Sequence, residues 1–195
     1  MKPRTILAGM ALALTAACVN GTETAAVTPA MRWDHRPEAS TWTQRTLVAV
    51  AGEDDELAEL VPADIKTFCP GYETATMAER RAFWVGLLSA TAKHESTWNP
   101  RASGGGGRYL GLMQISPATA RQYGCEAQSA SALKDGTANL ACAVQIMAVQ
   151  VGRDKMVAGG GTKGIGRDWG PFRSSSKRAD IAKWTASQSY CKAGA

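Results

Sequence analysis

One carboxylate is placed where its proton would be hard to remove. Glu95 closes a stretch from about Thr76 whose apolar residues Met77, Phe83, Trp84, Leu87 and Leu88 are spaced for a helix. At about 100° per residue, Trp84, Leu88, Thr91 and Glu95 fall within about 60° of the helical wheel. The spacing therefore predicts a carboxylate in the last turn, on the inward face. Low dielectric and the negative end of the helix dipole both disfavour its ionised form. A glutamic acid that keeps its proton near neutrality can protonate a leaving oxygen, which is the step that glycosidic cleavage requires. Taken alone, a carboxylate at a helix end is more often structural or solvated. The stretch that follows is unusual in a second way: between Glu95 and Glu126 there is no Asp or Glu. Two-carboxylate glycosidases place the partner acid roughly 5–9.5 Å away. Here it would have to come from further on, from Asp135, Asp154 or Asp168.

The residues after Glu95 carry a specific pattern. The chain reads Glu95-Ser96-Thr97-Trp98-Asn99-Pro100, then a glycine-rich loop from Ser103 to Tyr109, then Gly111-Leu112-Met113-Gln114-Ile115-Ser116-Pro117-Ala118-Thr119-Ala120. This double motif resembles the catalytic domain of soluble lytic murein transglycosylases, which have a lysozyme-like fold. Weaker likeness runs upstream through Phe68-Cys69-Pro70 and Arg81-Ala82-Phe83-Trp84, and downstream through Asn139-Leu140 and Trp169-Gly170-Pro171. The resemblance implies a mainly α, lysozyme-like (goose-type lysozyme/transglycosylase) domain with little or no β-sheet. It implies Glu95 as the single catalytic acid/base, Ser96 beside it to orient the carboxylate, and Gln114 as a hydrogen-bonding partner of the sugar. Met113 and Leu112 are expected to pack or line the cleft wall, with Tyr109 and Asn139 as further substrate-binding candidates. The implied reaction cleaves the MurNAc–GlcNAc β-1,4 bond of peptidoglycan and closes a 1,6-anhydro ring on MurNAc. A hydrolytic muramidase on the same fold is the alternative enzyme, and a non-catalytic glycan-binding or inhibitory module the alternative outside enzymology. No metal and no cofactor is implied.

The chain departs from the family pattern in one place. The late Ala-Tyr-Asn-Ala-Gly segment, whose tyrosine touches the catalytic acid, is missing, leaving Tyr109, Tyr123 or Tyr190 as substitutes. Gly159 to Gly164 formally matches GxGxxG, but no strand precedes it, so both glycine clusters read as flexible loops on the cleft rim. His94 adjoins Glu95 yet points about 100° away around the helix, which favours a structural or solvent role. Trp98 and Trp169 are suited either to stacking on a sugar or to the core.

The elements that must hold these groups are mostly helical. A short helix is expected around Trp42, Leu47, Val48 and Val50, and the acidic run Glu53 to Glu59 reads as a solvated helix start. Pro62 and Pro70-Gly71 punctuate the approach to the main helix. The 195 residues carry a net charge of +5 and five cysteines. Lys2 and Arg4 precede the uncharged, mostly apolar 12-residue run Ile6 to Ala17, too short to span a bilayer, so residues 1–17 read as an export signal. Ala16-Ala17-Cys18 resembles a bacterial lipobox, with Thr15 in the usual aliphatic place, so Cys18 is expected to carry lipid. Val19 is not the aspartate that retains lipoproteins at the inner membrane. A periplasm-facing outer-membrane lipoprotein is therefore expected, or otherwise a soluble periplasmic or secreted protein. Residues 18–31 read as a flexible leader or tether and 32–195 as the single domain.

Without residues 1–17 the charge falls to +3 on 178 residues, mildly basic and far from a nucleic-acid-binding composition. Four cysteines then remain, with three possible connectivities. The preferred pairing is Cys125–Cys142 as a local staple and Cys69–Cys191 as a long clasp. A zinc site is disfavoured because no two of these cysteines lie within ten residues of each other. The expected partner is the glycan strand, with no nucleic acid, membrane contact only through Cys18, and a monomeric state.

Overall fold

The computed structural model describes residues 28–192. The stretch expected to be an export signal, Cys18 with its expected lipid, and the expected leader before residue 28 lie outside the described residues. Six α-helices dominate: α1 Ala39–Ala51, α2 Ile65–Phe68, α3 Met77–Glu95, α4 Pro117–Gln122, α5 Gly136–Asp154 and α6 Ser175–Ala186. The only strands among the described residues are β1 (Ser103–Gly104) and β2 (Tyr109–Leu110), paired antiparallel with Ser103 opposite Leu110. The mainly α, lysozyme-like expectation is met.

Helix α3 is the axis of the domain. Thr76 and Glu79 form a reciprocal capping box at its start, a Thr-x-x-Glu signature that the sequence carries openly. From Ala82 to Ala92 every residue is buried, so the helix has no solvent face over three turns. The predicted inward residues Trp84, Leu88 and Thr91 are all 0% exposed. Their polar atoms are paired: Trp84 Nε1 donates to Tyr72 Oη at 2.9 Å, and Thr91 Oγ1 to the Leu87 carbonyl at 2.7 Å. Helix α1 packs on α3 and α5, while α6 packs on α3 and α2. Trp33 joins the N-terminal segment to this core, its backbone N–H donating to Ser89 Oγ and its indole to Thr43 Oγ1.

Two local expectations are corrected. The acidic run is a series of turns, not a helix start, with Leu57 and Ala58 buried. Its Asp54 holds Arg81 of α3 through Nε at 3.0 and 3.1 Å, so it fastens the chain to the central helix. The second glycine cluster is not a loose loop. It forms short 3-10 turns, Gly159–Gly161 and Gly164–Arg167, in which Gly161, Gly164 and Gly166 are buried. A side chain on Gly164, at φ +48°, would meet the Met156 carbonyl at 2.2 Å. The carboxylates of Asp64 and Asp154 tie the segment down: Asp64 accepts from the N–H groups of Val157, Ala158 and Gly159, and Asp154 from Gly164 and Arg167. Helix α5, not a strand, precedes it, which removes the dinucleotide reading.

Both disulfides are present as paired above, Cys69–Cys191 across 122 residues and Cys125–Cys142 across 17. In the chain-entropy account the long clasp stabilises by about 5 kcal/mol and the short staple by about 3 kcal/mol. Chemical denaturation of the two double Cys→Ala variants is expected to show the larger loss for Cys69/Cys191.

Candidate active site

Glu95 is the last residue of α3 and sits half-buried at its end. Its carboxylate accepts no hydrogen bond from any described residue. Burial raises its pKa from an ordinary value near 4.5 to about 7, and the opposing influences are the positive charges of Lys177 and Arg173. No carboxylate acts on it among the described residues. Asp135 is occupied as the N-cap of α5, accepting from Ala138 N at 2.8 Å, and Asp154 is held by Arg167. Asp168 lies against Tyr123 and Gln150.

The neighbours of Glu95 fix the helix end. His94 Nε2 lies 2.8 Å from Asp180 Oδ2 on α6, where Lys93 and Arg32 also converge at 3.4 and 2.7 Å. Arg32 first, then His94 and Lys93, hold the Asp180 carboxyl well below the usual carboxylate range. His94 is thus a clamp between α3 and α6. Ser96, the C-cap, turns its hydroxyl to the Ala92 carbonyl at 3.3 Å and does not touch the Glu95 carboxylate. Thr97 and Trp98 then adopt left-handed backbone at φ 53° and 56°. Trp98 folds back so that its indole N–H reaches the Ser89 carbonyl at 2.9 Å, with its ring packed edge-on to His35. This tryptophan braces the turn beneath Glu95.

The Gly111-Leu112-Met113-Gln114 segment forms a tight turn pinned from two sides. Asn139 of α5 is 0% exposed and spends its whole amide on this turn and its neighbour. Its Oδ1 accepts from Met113 N at 2.8 Å, while its Nδ2 donates to the carbonyls of Leu110 and Leu133 at 3.0 and 2.9 Å. Trp169 is buried and donates its indole N–H to the Met113 carbonyl at 2.8 Å. Gly111 permits this approach: a Cβ there would lie 2.4 Å from Asn139 Nδ2. Three placements follow. Asn139 has no free group for a sugar, Met113 is a core side chain rather than cleft wall, and Trp169 is scaffold.

Gln114 is the member of that turn left with free hydrogen-bonding capacity. It is strained at φ 48°, and its Nε2 donates to the Gly111 carbonyl at 2.9 Å. Its Oε1 lies against Gly104 of β1 and takes no hydrogen bond from a described residue. Tyr109, opposite Gly104 on β2, is 42% exposed. Tyr190 is buried against Gly86 and donates to the Ala30 carbonyl at 3.3 Å, while Tyr123 is engaged with Gln150 and Asp168. None of the three tyrosines hydrogen-bonds Glu95. Arg173 and Lys177 are the charged groups at this site that sequence reading missed. Their nearness to Glu95 arises from the packing of α6 on α3 and leaves no local signature.

The family described as Transglycosylase SLT domain matches residues 74–177. The chain belongs to the SLT transglycosylase family. Among solved structures it is similar to Bd0314 DslA in its wild-type form 2, at 28% identity and TM-score 0.76, covering 85% of this chain and 99% of that one. Two glutamate-to-glutamine mutants of the same protein match at 27% and 29% identity with TM-scores of 0.75 and 0.74; they cover 85% and 82% of this chain and 99% and 95% of theirs. No curated protein sequence matches. The SLT domain carries a transglycosylase-type, peptidoglycan-lytic function, so the glycan strand is the substrate this family membership implies.

Two outcomes test the geometry. Asn139→Ala leaves the Met113 N–H and the Leu133 carbonyl unmet and removes one of two bonds to the Leu110 carbonyl, and is expected to cost about 3 kcal/mol in thermal or chemical denaturation. Glu95 ionises less readily folded than unfolded. Its burial therefore costs nothing below pH 4.5, grows as pH rises towards 7 and is constant above. Glu95→Gln is accordingly expected to stabilise the protein by about 3 kcal/mol at pH 8 and to lose that advantage by pH 4, read from paired denaturation curves.

Proposed function

We propose that Glu95 is the single acid/base of a lytic transglycosylase acting on the MurNAc–GlcNAc β-1,4 bond. The observation that carries this reading is a half-buried carboxyl group with a pKa near 7, faced only by cations among the described residues. Protonated Glu95 gives its proton to the glycosidic oxygen, and the GlcNAc hydroxyl leaves. Positive charge develops at C1 of the muramyl ring. No carboxylate of the described residues acts on Glu95, which leaves the substrate's own N-acetyl oxygen as the stabiliser. The carboxylate left on Glu95 then takes the proton of the C6 hydroxyl as that oxygen bonds to C1. The proton is returned, the 1,6-anhydro ring is closed and no water is consumed.

Gln114 is suited to hold the sugar beside the scissile bond, since its Oε1 is free and its backbone is fixed by the pinned turn. Exposed Tyr109 flanks the same hairpin and offers a ring face or hydroxyl to the glycan. Ser96 acts on Glu95 through the helix end rather than by direct contact. Two disulfides support work in an oxidising compartment, in keeping with export by residues 1–17 and a lipid anchor on Cys18.

Mass spectrometry of digested sacculi tests the mechanism. Anhydro-muramyl products, one water lighter than hydrolytic ones, are expected. Reducing-end products alone would mean a hydrolytic muramidase, and no soluble product a glycan-binding module. Glu95→Gln is expected to reduce turnover by at least a hundredfold. Wild-type activity should fall as pH rises through about 7, where the acid loses its proton.

A further inference from the structure

The cations beside Glu95 have no carboxylate partner among the described residues. Asp180 pairs with Arg32 and with Lys93 and His94 at the α3 terminus. Lys177 lies three residues before Asp180, on the same face of α6 and one turn nearer its start. Arg173 precedes the Ser174 N-cap, and its guanidinium donates to the Arg167 carbonyl, which fixes its direction without neutralising it. Both side chains are exposed, and neither forms an ion pair with a carboxylate among the described residues. Asp180 binds the residues immediately before Glu95, so this end of α6 stands beside the Glu95 carboxyl. That carboxyl is largely protonated below neutrality and does not satisfy the two cations.

Two unpaired cations at the site of a glycan-cleaving acid are unexpected if the ligand is a neutral sugar. A glycan of GlcNAc alone offers them nothing. The muramyl residue differs by the lactyl group on O3, which ends either in a free carboxylate or in a peptide bearing carboxylates. We propose that Arg173 and Lys177 form an anion subsite for the carboxylate carried on the 3-O arm of the muramyl residue. This rests on the reading of Glu95 as the catalytic acid, and adds that the muramyl side of the bond is selected by charge. Fixed cations there also place the arm, and with it the ring, relative to Glu95.

Binding separates this from the catalytic reading. The Glu95→Gln protein is titrated with chitooligosaccharides, with amidase-stripped glycan strands that bear free lactyl carboxylates, and with peptide-bearing strands of similar length. At low salt it should bind at least one muramyl ligand about tenfold more tightly than chitooligosaccharide, and the tighter of the two muramyl ligands identifies the source of the carboxylate. Adding R173M and K177M should bring that ratio close to one; K177M alone, at an exposed position in the first turn of α6, should lower it about threefold. About 0.5 M salt should erode the wild-type ratio as well. Equal affinity of the Glu95→Gln protein for all three ligands, or a ratio that survives the double substitution, overturns the proposal. Failure of wild-type protein to release soluble fragments from sacculi would instead overturn the role of Glu95. A second readout addresses proximity. The charged groups around Glu95 are Lys177 and Arg173 from the α6 side and, on its own helix, Lys93 and His94, which are turned to Asp180. Loss of Lys177 is therefore expected to move the alkaline limb of activity to higher pH, and an unmoved limb would contradict the placement.

Discussion

The site depends on keeping the Glu95 carboxyl partly out of water while leaving it without a partner. A buried carboxylate ordinarily finds a guanidinium or a set of N–H donors, and its proton then leaves easily. Here Asp54, Asp64, Asp154 and Asp180 all do so, each joining separate segments of the chain. Glu95 is treated differently. The helix that carries it is buried on every side for three turns, so the carboxyl is delivered to the end of α3 by packing. The contacts around it are spent on neighbouring atoms: Ser96 on Ala92, Trp98 on Ser89, His94 on Asp180. The proton on Glu95 persists because burial without a hydrogen-bond donor outweighs the opposing charges of Lys177 and Arg173.

The second half of the motif is held separately. The turn from Gly111 to Gln114 is held by the buried amide of Asn139 on α5 and the buried indole of Trp169, both acting on the backbone of Met113. Gln114 is thereby fixed at a left-handed φ that an unsupported glutamine would abandon. The two halves of the sequence motif thus do different work. The first half ends a helix with a carboxyl, and the second builds a braced turn that presents one amide.

Much of this was legible in the residues. The wheel position of Glu95 and the apolar spacing before it defined α3 and the inward carboxyl, because helical geometry is local. Among the described residues the charges that act on Glu95 are cations from beyond the acid-free stretch. Asn139 was read as a sugar contact, while Met113 and Trp169 were left open between packing and the cleft; all three are scaffold. A motif reveals that a residue matters to the turn but not whether its side chain faces ligand or backbone. The Gly159–Gly164 cluster was read as loose because glycine permits mobility. It equally permits close packing, and carboxylates distant in sequence decided between the two. Arg173 and Lys177 could not be found from spacing, since only the packing of α6 on α3 brings them to Glu95.

The central claim is a protonation state, and it can be measured on the wild-type protein. A carbon-13 titration of the Glu95 side-chain carboxyl, assigned by its loss in Glu95→Gln, reports it directly. A midpoint at about 7 is expected. A midpoint at the ordinary glutamate value near 4.5 would mean that the carboxyl is solvated or paired and would contradict it.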